Sequence, residues 1–468
     1  MSQVLTRLMA TGPAPIDPAK RQVAAYVSPV PWRLKTAAGL IAVLTVVFFC
    51  FVTFALQSLQ HVARTVGKDA TDSIVLANEI RTDLSRAHTD YVNAVLMRTY
   101  GRGNAPGYWT RFQVDINAAE ARLTEAAQNI TYDGEKDAVV AMGQGVSQYA
   151  RLVGRSYASG SSDTGPADAV MRTIILPAAE RLNDVNATQL NLIYNDFLQR
   201  PWTFSLMALS GLALLLVLIA TQVILLQLTH RIVNVFLALA TLVLVGLGIY
   251  QISVVVGTLH ALHVAKEDAF DSVDALWKAR AYAYQVRFDA PLHQLASGDN
   301  ARQARIAADM AAAKAKLLDK PADAAVQMAN MHNAFGGFFG AELANITFEG
   351  EGAAALKMLQ RWAVYDRVLG QALASNNASS LSLLVAFSFN DAEQAFHDFD
   401  DALGAVIDIN QRAFVGAMQD VDAYIQADAA HGDDHQFQTF WYVALAACIV
   451  IVVLSGLGLK QRLDDYRF

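Results

Sequence analysis

Residues 129–135 read Asn129-Ile130-Thr131-Tyr132-Asp133-Gly134-Glu135, and residues 345–351 read Asn345-Ile346-Thr347-Phe348-Glu349-Gly350-Glu351. The match continues without a gap at an offset of 216, with Tyr149/Tyr365, Arg151/Arg367, Gly154/Gly370, Ala158/Ala374 and Ser159/Ser375 identical. A repeat of this length fixes the architecture before any other signal is read. Each copy lies midway between two long apolar runs, so the chain reads as a doubled unit of membrane helix, helical domain, membrane helix.

The same register extends outward. Asp69-Ala70 with Asp72-Ser73 corresponds to Asp268-Ala269 with Asp271-Ser272 at an offset of 199, and Arg81/Arg280, Asp90/Asp289 and Leu96/Leu295 keep it. Farther along, Asp184/Asp408, Asn186/Asn410 and Asp196/Asp420 agree at 224. The second copy is therefore the longer one. Lys320-Pro321 and Gly336-Gly337 are the expected breaks in its second helix, and Asn376-Asn377 through Ser382 the expected turn before its last.

Four runs are long and apolar enough to span a bilayer, near Ala37–Leu56, Phe204–Leu226, Val233–Val256 and Phe440–Leu459. Lys and Arg gather before the first span, at Arg231 between the second and third, and at Lys460, Arg462 and Arg467 after the fourth. By the positive-inside rule both termini and the hairpin are cytoplasmic. The expected organisation is a cytoplasmic tail over 1–35, spans over 36–57, 203–228, 232–256 and 438–459, extracytoplasmic segments over 58–200 and 257–437, and a cytoplasmic C-terminus over 460–468. The fold class that follows is all-α: an integral protein of the cell membrane with four transmembrane helices and two tandem extracytoplasmic four-helix bundles. In the first segment the pattern predicts helices over Leu59–Tyr100, Pro106–Asn129 and Asp133–Ser159, and a fourth from Pro166 into the second span. These run alternately out and back, at about 1.5 Å per residue, and return the chain to the membrane.

Composition narrows the function. Charged residues make up 17% of the 468, net charge is −7, and 54% are hydrophobic, which suits the lipid bilayer as surroundings and argues against nucleic acid as a partner. Cys50 and Cys448 both lie in apolar runs, so no disulfide staples the outer segments. No phosphate loop, HExxH, CxxC or nucleophile-elbow pattern is present, and the reading is of a protein that is not an enzyme. The spans carry no ionisable residue, as anchors rather than a transport path would.

Several residues are candidates for a site. Tyr149 and Arg151, with Tyr365 and Arg367, either line a ligand cleft or brace the helices; Arg81 and Arg280 either bind a polar ligand or sit on solvated helix faces. His260 and His263 share a helix face, with Glu267 one turn on, and His431, Asp433, Asp434 and His435 close the same domain. Imidazole with carboxylate suits a divalent metal such as zinc, though polar caps at a membrane surface look the same. Asn-Ile-Thr reads either as a glycosylation sequon or as a helix boundary capped by Thr131 or Thr347.

The layout resembles the sensor halves of bacterial chemoreceptors and histidine kinases. The stretches Tyr149-Ala-Arg-Leu-Val-Gly-Arg-Ser-Tyr157 and Ile175-Leu-Pro-Ala-Ala-Glu-Arg-Leu182 are similar to the four-span actinobacterial membrane proteins of the GlnX type. That resemblance implies a relay between an extracytoplasmic solute-binding protein loaded with an amino acid and a cytosolic Ser/Thr protein kinase. A homodimer is a further expectation, and a structural subunit of a membrane complex or a transporter accessory protein is the alternative. The unbroken stretch from Leu40 to Val66 suits a rigid relay, whereas Arg200-Pro201 predicts a hinge, and Gly257 and Gly432 predict looser points in the second copy.

Overall fold

A computed structural model describes residues 29–99, 104–229, 234–374, 381–425 and 438–464 of the chain. Among them every regular element is helical. In chain order they are α1 Pro29–Arg64, α2 Thr71–Thr99, α3 Ala105–Gln128, α4 Glu135–Ser159, α5 Gly165–Val170, α6 Leu176–Gln199, α7 Trp202–Thr229, α8 Val235–His263, α9 Asp271–Leu295, α10 Asn300–Leu317, α11 Ala322–Asn330, α12 Phe338–Ala344, α13 Glu351–Ala374, α14 Leu381–Ile425 and α15 Gln438–Asp464. Three π-helical turns interrupt the longer runs, at Thr65–Asp69, Met171–Ile175 and Val264–Phe270. Helix α1 starts at Pro29, inside the expected tail, because proline's fixed φ and missing N–H suit the first position of a helix. The breaks foreseen at Lys320-Pro321, Gly336-Gly337 and Arg200-Pro201 all separate helices. The turn at 376–380 lies outside the described residues.

The chain forms two compact units. One comprises Met1–Ala55, Trp202–Gln251 and Trp441–Phe468; the other comprises Leu56–Pro201 and Ile252–Phe440. Among the described residues four helices are long and apolar enough to cross a membrane. In the first unit two polar side chains bond between helices. Gln222 Nε2 donates to Thr241 Oγ1 at 2.9 Å across the α7–α8 pair. Asn234 caps α8 through its Oδ1, and its Nδ2 donates to the carbonyl of Gly458 at 2.9 Å. Buried polar atoms in an apolar setting need such partners.

The second unit is built from both sequence segments at once. Its first half packs α2 against α3 and α6, and α4 against α3 and α6; its second half packs α9 against α10 and α14, and α13 against α14 and α11. Helices α2 and α9 also pack on each other. The two cores are correspondingly not separate: Phe288, Leu292, Ala296 and Ile306 of the second half belong to the core of the first. Each half has its own aromatic centre as well. Tyr149 meets Tyr91, Phe112 and His88 in one, and Trp362 meets Phe339, Tyr365 and Phe399 in the other.

The repeated heptapeptide forms the same joint twice. Gly134 and Gly350 take φ of +96° and +83°, a conformation glycine adopts without a Cβ clash. This turns the chain so that the following glutamate caps the loop before it. Glu135 Oε2 accepts from the amides of Thr131 and Tyr132 at 2.5 and 2.7 Å; Glu351 Oε2 accepts from Thr347 and Phe348 at 2.7 and 2.9 Å. The threonines do not act as caps: each is a backbone donor to the glutamate, which lies three and four residues on and has the reach to bind two amides. Asn129 Nδ2 donates to Ser73 Oγ and Asn345 Nδ2 to Ser272 Oγ, both at 3.0 Å, tying this joint to the start of α2 or α9. Asn345 also reaches the carbonyls of Glu267 and Asp268 in the π turn, at 3.1 Å each. The helix-boundary reading of Asn-Ile-Thr is the one this geometry supports. Gly257 is not a loose point in α8 either. The ring of Tyr424 lies on it, and a Cβ there would come within 2.4 Å of that ring. Gly432 lies outside the described residues.

A second carboxyl joins this joint in the second half. Glu342 is fully buried beside Glu351, Ser272 and Asn410, whose Nδ2 lies 3.4 Å from Glu342 Oε1. Burial, and then the neighbouring Glu351, push Glu342 up to about 8. A group whose folded-state pKa is raised stabilises the fold below its unfolded value, and that contribution is lost as pH rises through the folded value. The melting temperature of the full-length protein should therefore fall as pH rises from about 4.5 to 8, and Glu342→Gln, which keeps the neutral form, should flatten that slope. Melting curves across this range check it, and an unchanged slope in the variant refutes the assignment.

Candidate functional site

Along α2 and α9 the seam between the halves is charged. Arg81, Asp90 and Asp289 are exposed by only 6%, 2% and 0%. The solvated-face reading of the repeat's charges is thus corrected: these residues are buried because the other half supplies their surroundings. The repeat's aspartate binds an arginine in both copies, from different helices. Arg111 of α3 lies 3.3 Å from Asp90. Asp289 is paired with Arg172, from the π turn before α6 of the other half. Arg172 also binds Asp168 at 2.8 Å and Asp309 at 3.4 Å.

From Arg172 the polar chain runs into the core of the first half. Asp168 lies 3.4 Å from Nε2 of the buried His88, whose Nδ1 is 3.0 Å from the Tyr149 hydroxyl. Burial lowers the His88 pKa, which keeps the ring neutral near pH 7. With its proton on Nε2 toward the carboxylate, Nδ1 accepts the Tyr149 O–H. Burial would raise Asp168, but His88 and Arg172 hold it below the usual carboxylate range. Asp289 is pushed up by burial, to about 7, against the pull of Arg172.

A cleft of about 460 Å³ opens on this seam. Each of four helices lines it with side chains one or two turns apart, the spacing that puts them on one face. These are Arg86 and Asp90 of α2, Arg111 and Asp115 of α3, Arg280, Tyr284 and Arg287 of α9, and Glu393, His397 and Asp400 of α14. Arg280 makes a two-point pair with Asp400 at 2.8 and 2.7 Å, and the Tyr284 hydroxyl donates to the same carboxylate at 3.0 Å. Tyr108 donates to Glu393 at 2.6 Å. Burial raises Asp115 to about 6, with Arg86 opposing it from 3.5 Å. Four guanidinium groups and four carboxyl groups thus face one cavity.

Residues 62–195 match the family model of the actinobacterial sensor domain. No curated protein and no solved structure matches the chain. The sensor-domain region contributes Arg86, Asp90, Arg111 and Asp115 to the cleft, and the remaining lining comes from the second half. The match supports a sensing role, and four apolar helices make this a membrane protein.

Of the candidate site residues that lie among the described ones, only Arg280 lines the cleft. Arg81 stacks over the ring of Tyr282 at 4.5 Å. Tyr149 and Tyr365 are core residues, whereas Arg151 and Arg367 point outward from the same helices, Arg367 toward Asp323 at 2.6 Å. The structure therefore does not bring those tyrosines and arginines together. His260 and His263 are exposed, with His263 Nδ1 at 3.3 Å from Glu267. His431, Asp433, Asp434 and His435 lie outside the described residues; among the described ones no three His, Cys, Asp or Glu cluster as metal ligands. Arg172, His88 and Arg287 were missed. Asp90/Asp289 in the repeat register was the one signal that pointed to them.

Arg172→Gln strips the charge partner from Asp168 and Asp289 together. It should cost about 3–5 kcal/mol, the usual result of breaking a buried pair from one side, whereas Arg151→Gln on the exposed face should stay within about 0.5 kcal/mol. Denaturant unfolding of both full-length variants measures this, and equal losses would show that the seam does not depend on Arg172.

Proposed function

We propose that the chain is a non-enzymatic transmembrane sensor of the cell membrane. On this reading both termini are cytoplasmic and the two repeat copies form tandem extracytoplasmic four-helix units. A small molecule, or a solute-binding protein carrying one such as an amino acid, engages the seam between the copies, and a cytosolic partner, a Ser/Thr protein kinase on the resemblance, receives the signal. The observation that carries the reading is the cleft to which helices of both halves contribute arginines and carboxylates, the first half matching a sensor-domain family.

Ligand binding in such a cleft shifts α2 against α9 by about 1–2 Å. Helix α1 runs without a break from Pro29 to Arg64 and reaches α2 through one π turn, so a displacement of α2 is passed on along helix. The return path differs. Arg200, with φ −108° and ψ 55°, and Pro201 separate α6 from α7, which makes this junction a hinge. The two paths thus convert one motion into a relative movement of neighbouring spans.

Topology tests the reading first. Single cysteines at Ser162 and Ser297 should both react with a membrane-impermeant reagent on intact cells, and protection of either rules out the arrangement. Pro201→Ala should then change the output, read as phosphorylation of kinase substrates in cells, while ligand-induced stabilisation of the purified protein stays the same. Altered binding with unchanged output would mean that Pro201 only starts a membrane helix.

A further inference from the structure

Arg287 is the exception among the arginines of the cleft. It is only 9% exposed, yet its guanidinium makes no hydrogen bond to the described residues. Its nearest charge is Glu393 Oε1 at 3.7 Å, beyond hydrogen-bond length. That carboxylate is already engaged, by the Tyr108 hydroxyl at 2.6 Å on Oε2 and by Arg111 at 3.3 Å on Oε1. The guanidinium is nonetheless held in place, 4.7 Å from the ring centre of Phe396 and 5.6 Å from that of Tyr284. Stacking of this kind fixes the plane and leaves the N–H edge for a partner. Arg287 borders the cleft on one side and a cavity of about 30 Å³ on the other.

Its neighbours are loosely held too. Arg111 reaches Asp90 and Glu393 at 3.3 Å, and Arg86 reaches Asp115 at 3.5 Å and Asp83 at 3.9 Å. Charge-assisted pairs with good geometry close to about 2.7–2.9 Å. Only Arg280 has such a pair, with Asp400. Arg287 thus borders two cavities with no acceptor among the described residues within hydrogen-bond reach of its guanidinium, and a planar two-oxygen anion matches that fork.

We propose that the cleft is a carboxylate site, in which a small organic acid places its carboxylate on Arg287 and draws Arg111 or Arg86 in to close the pair. The inference rests on the sensor reading above, since it names the class of molecule sensed. Binding replaces the long contacts of Arg111 with Asp90 and Glu393, or of Arg86 with Asp115, by one ligand shared by α9 and α2 or α3, which couples occupancy of the cleft to the spacing of those helices.

The test uses the full-length protein in lipid nanodiscs. Its thermal stability is followed against acetate, succinate and glutarate, with sulfate, phosphate and chloride at matched ionic strength. At least one of the three carboxylates should stabilise the wild type in a saturable way. Arg287→Gln should weaken its apparent affinity by roughly tenfold or more, the loss of a charged hydrogen-bonded contact, and the exposed Arg155→Gln should leave it unchanged. Glu393→Gln, which removes the competing carboxylate, should strengthen it; this second variant decides the matter where Arg287→Gln does not fold. Sulfate and phosphate acting as strongly as the carboxylates, or variants responding like wild type, would overturn the assignment. A flat response of the wild type to all three carboxylates would overturn it too, and would leave the sensor reading to its topology test.

Discussion

Two aspartates at matching places in the repeat, Asp90 and Asp289, are buried on the seam between α2 and α9, and an arginine is spent on each. A carboxylate taken out of water must be paired or protonated, and removing a partner costs more than the pair contributes. That constraint explains why the halves share a core rather than sit side by side. Arg172 of the first half belongs electrostatically to Asp289 of the second, and Glu393 of the second half holds Tyr108 and Arg111 of the first. Charged groups exchanged in this way fix the register of two apolar surfaces that would otherwise slide. They are also the groups an incoming ion can re-pair, so the feature that holds the halves together is the one a ligand can act on.

The helices and their ends were legible in the sequence because they are marked locally. Proline and glycine give the breaks at Pro201, Pro321 and Gly337, and the heptapeptide marks the start of α4 and α13 by its glycine and glutamate. The apolar spans are read from length alone. The seam was not legible. Helix α2 is buried on nearly every side, so its sequence has no polar face from which to tell core from interface. Arg81 and Asp90 look like solvent-facing charges until the second half is laid against them.

Between the two readings of the repeated tyrosines, the packing favours bracing: Tyr149 and Tyr365 each sit in an aromatic cluster within their own half. Tyrosine and arginine two residues apart on a helix face in different directions, and the structure puts one in the core and the other outside. Asp90 and Arg280 have identical counterparts in the other copy, but Arg287 stands where the first copy has His88, at the offset that aligns Asp90 with Asp289. A pocket at a seam between unlike halves is asymmetric, and a search for repeated residues finds only part of it.

The π turns carry a record of another kind. Such a turn is an α-helix with one residue too many. One lies at Thr65–Asp69 and one at Val264–Phe270, both just ahead of the long helix that forms the seam, at the offset that aligns Asp69 with Asp268. The turn at Met171–Ile175 has no counterpart in α14, which is α-helical from Leu381 to Ile425. Arg172 sits inside that unmatched turn. The side chain that pairs with Asp289 across the seam is therefore carried by a stretch in which the backbones of the two halves differ, and the clamp has no equivalent on the other side.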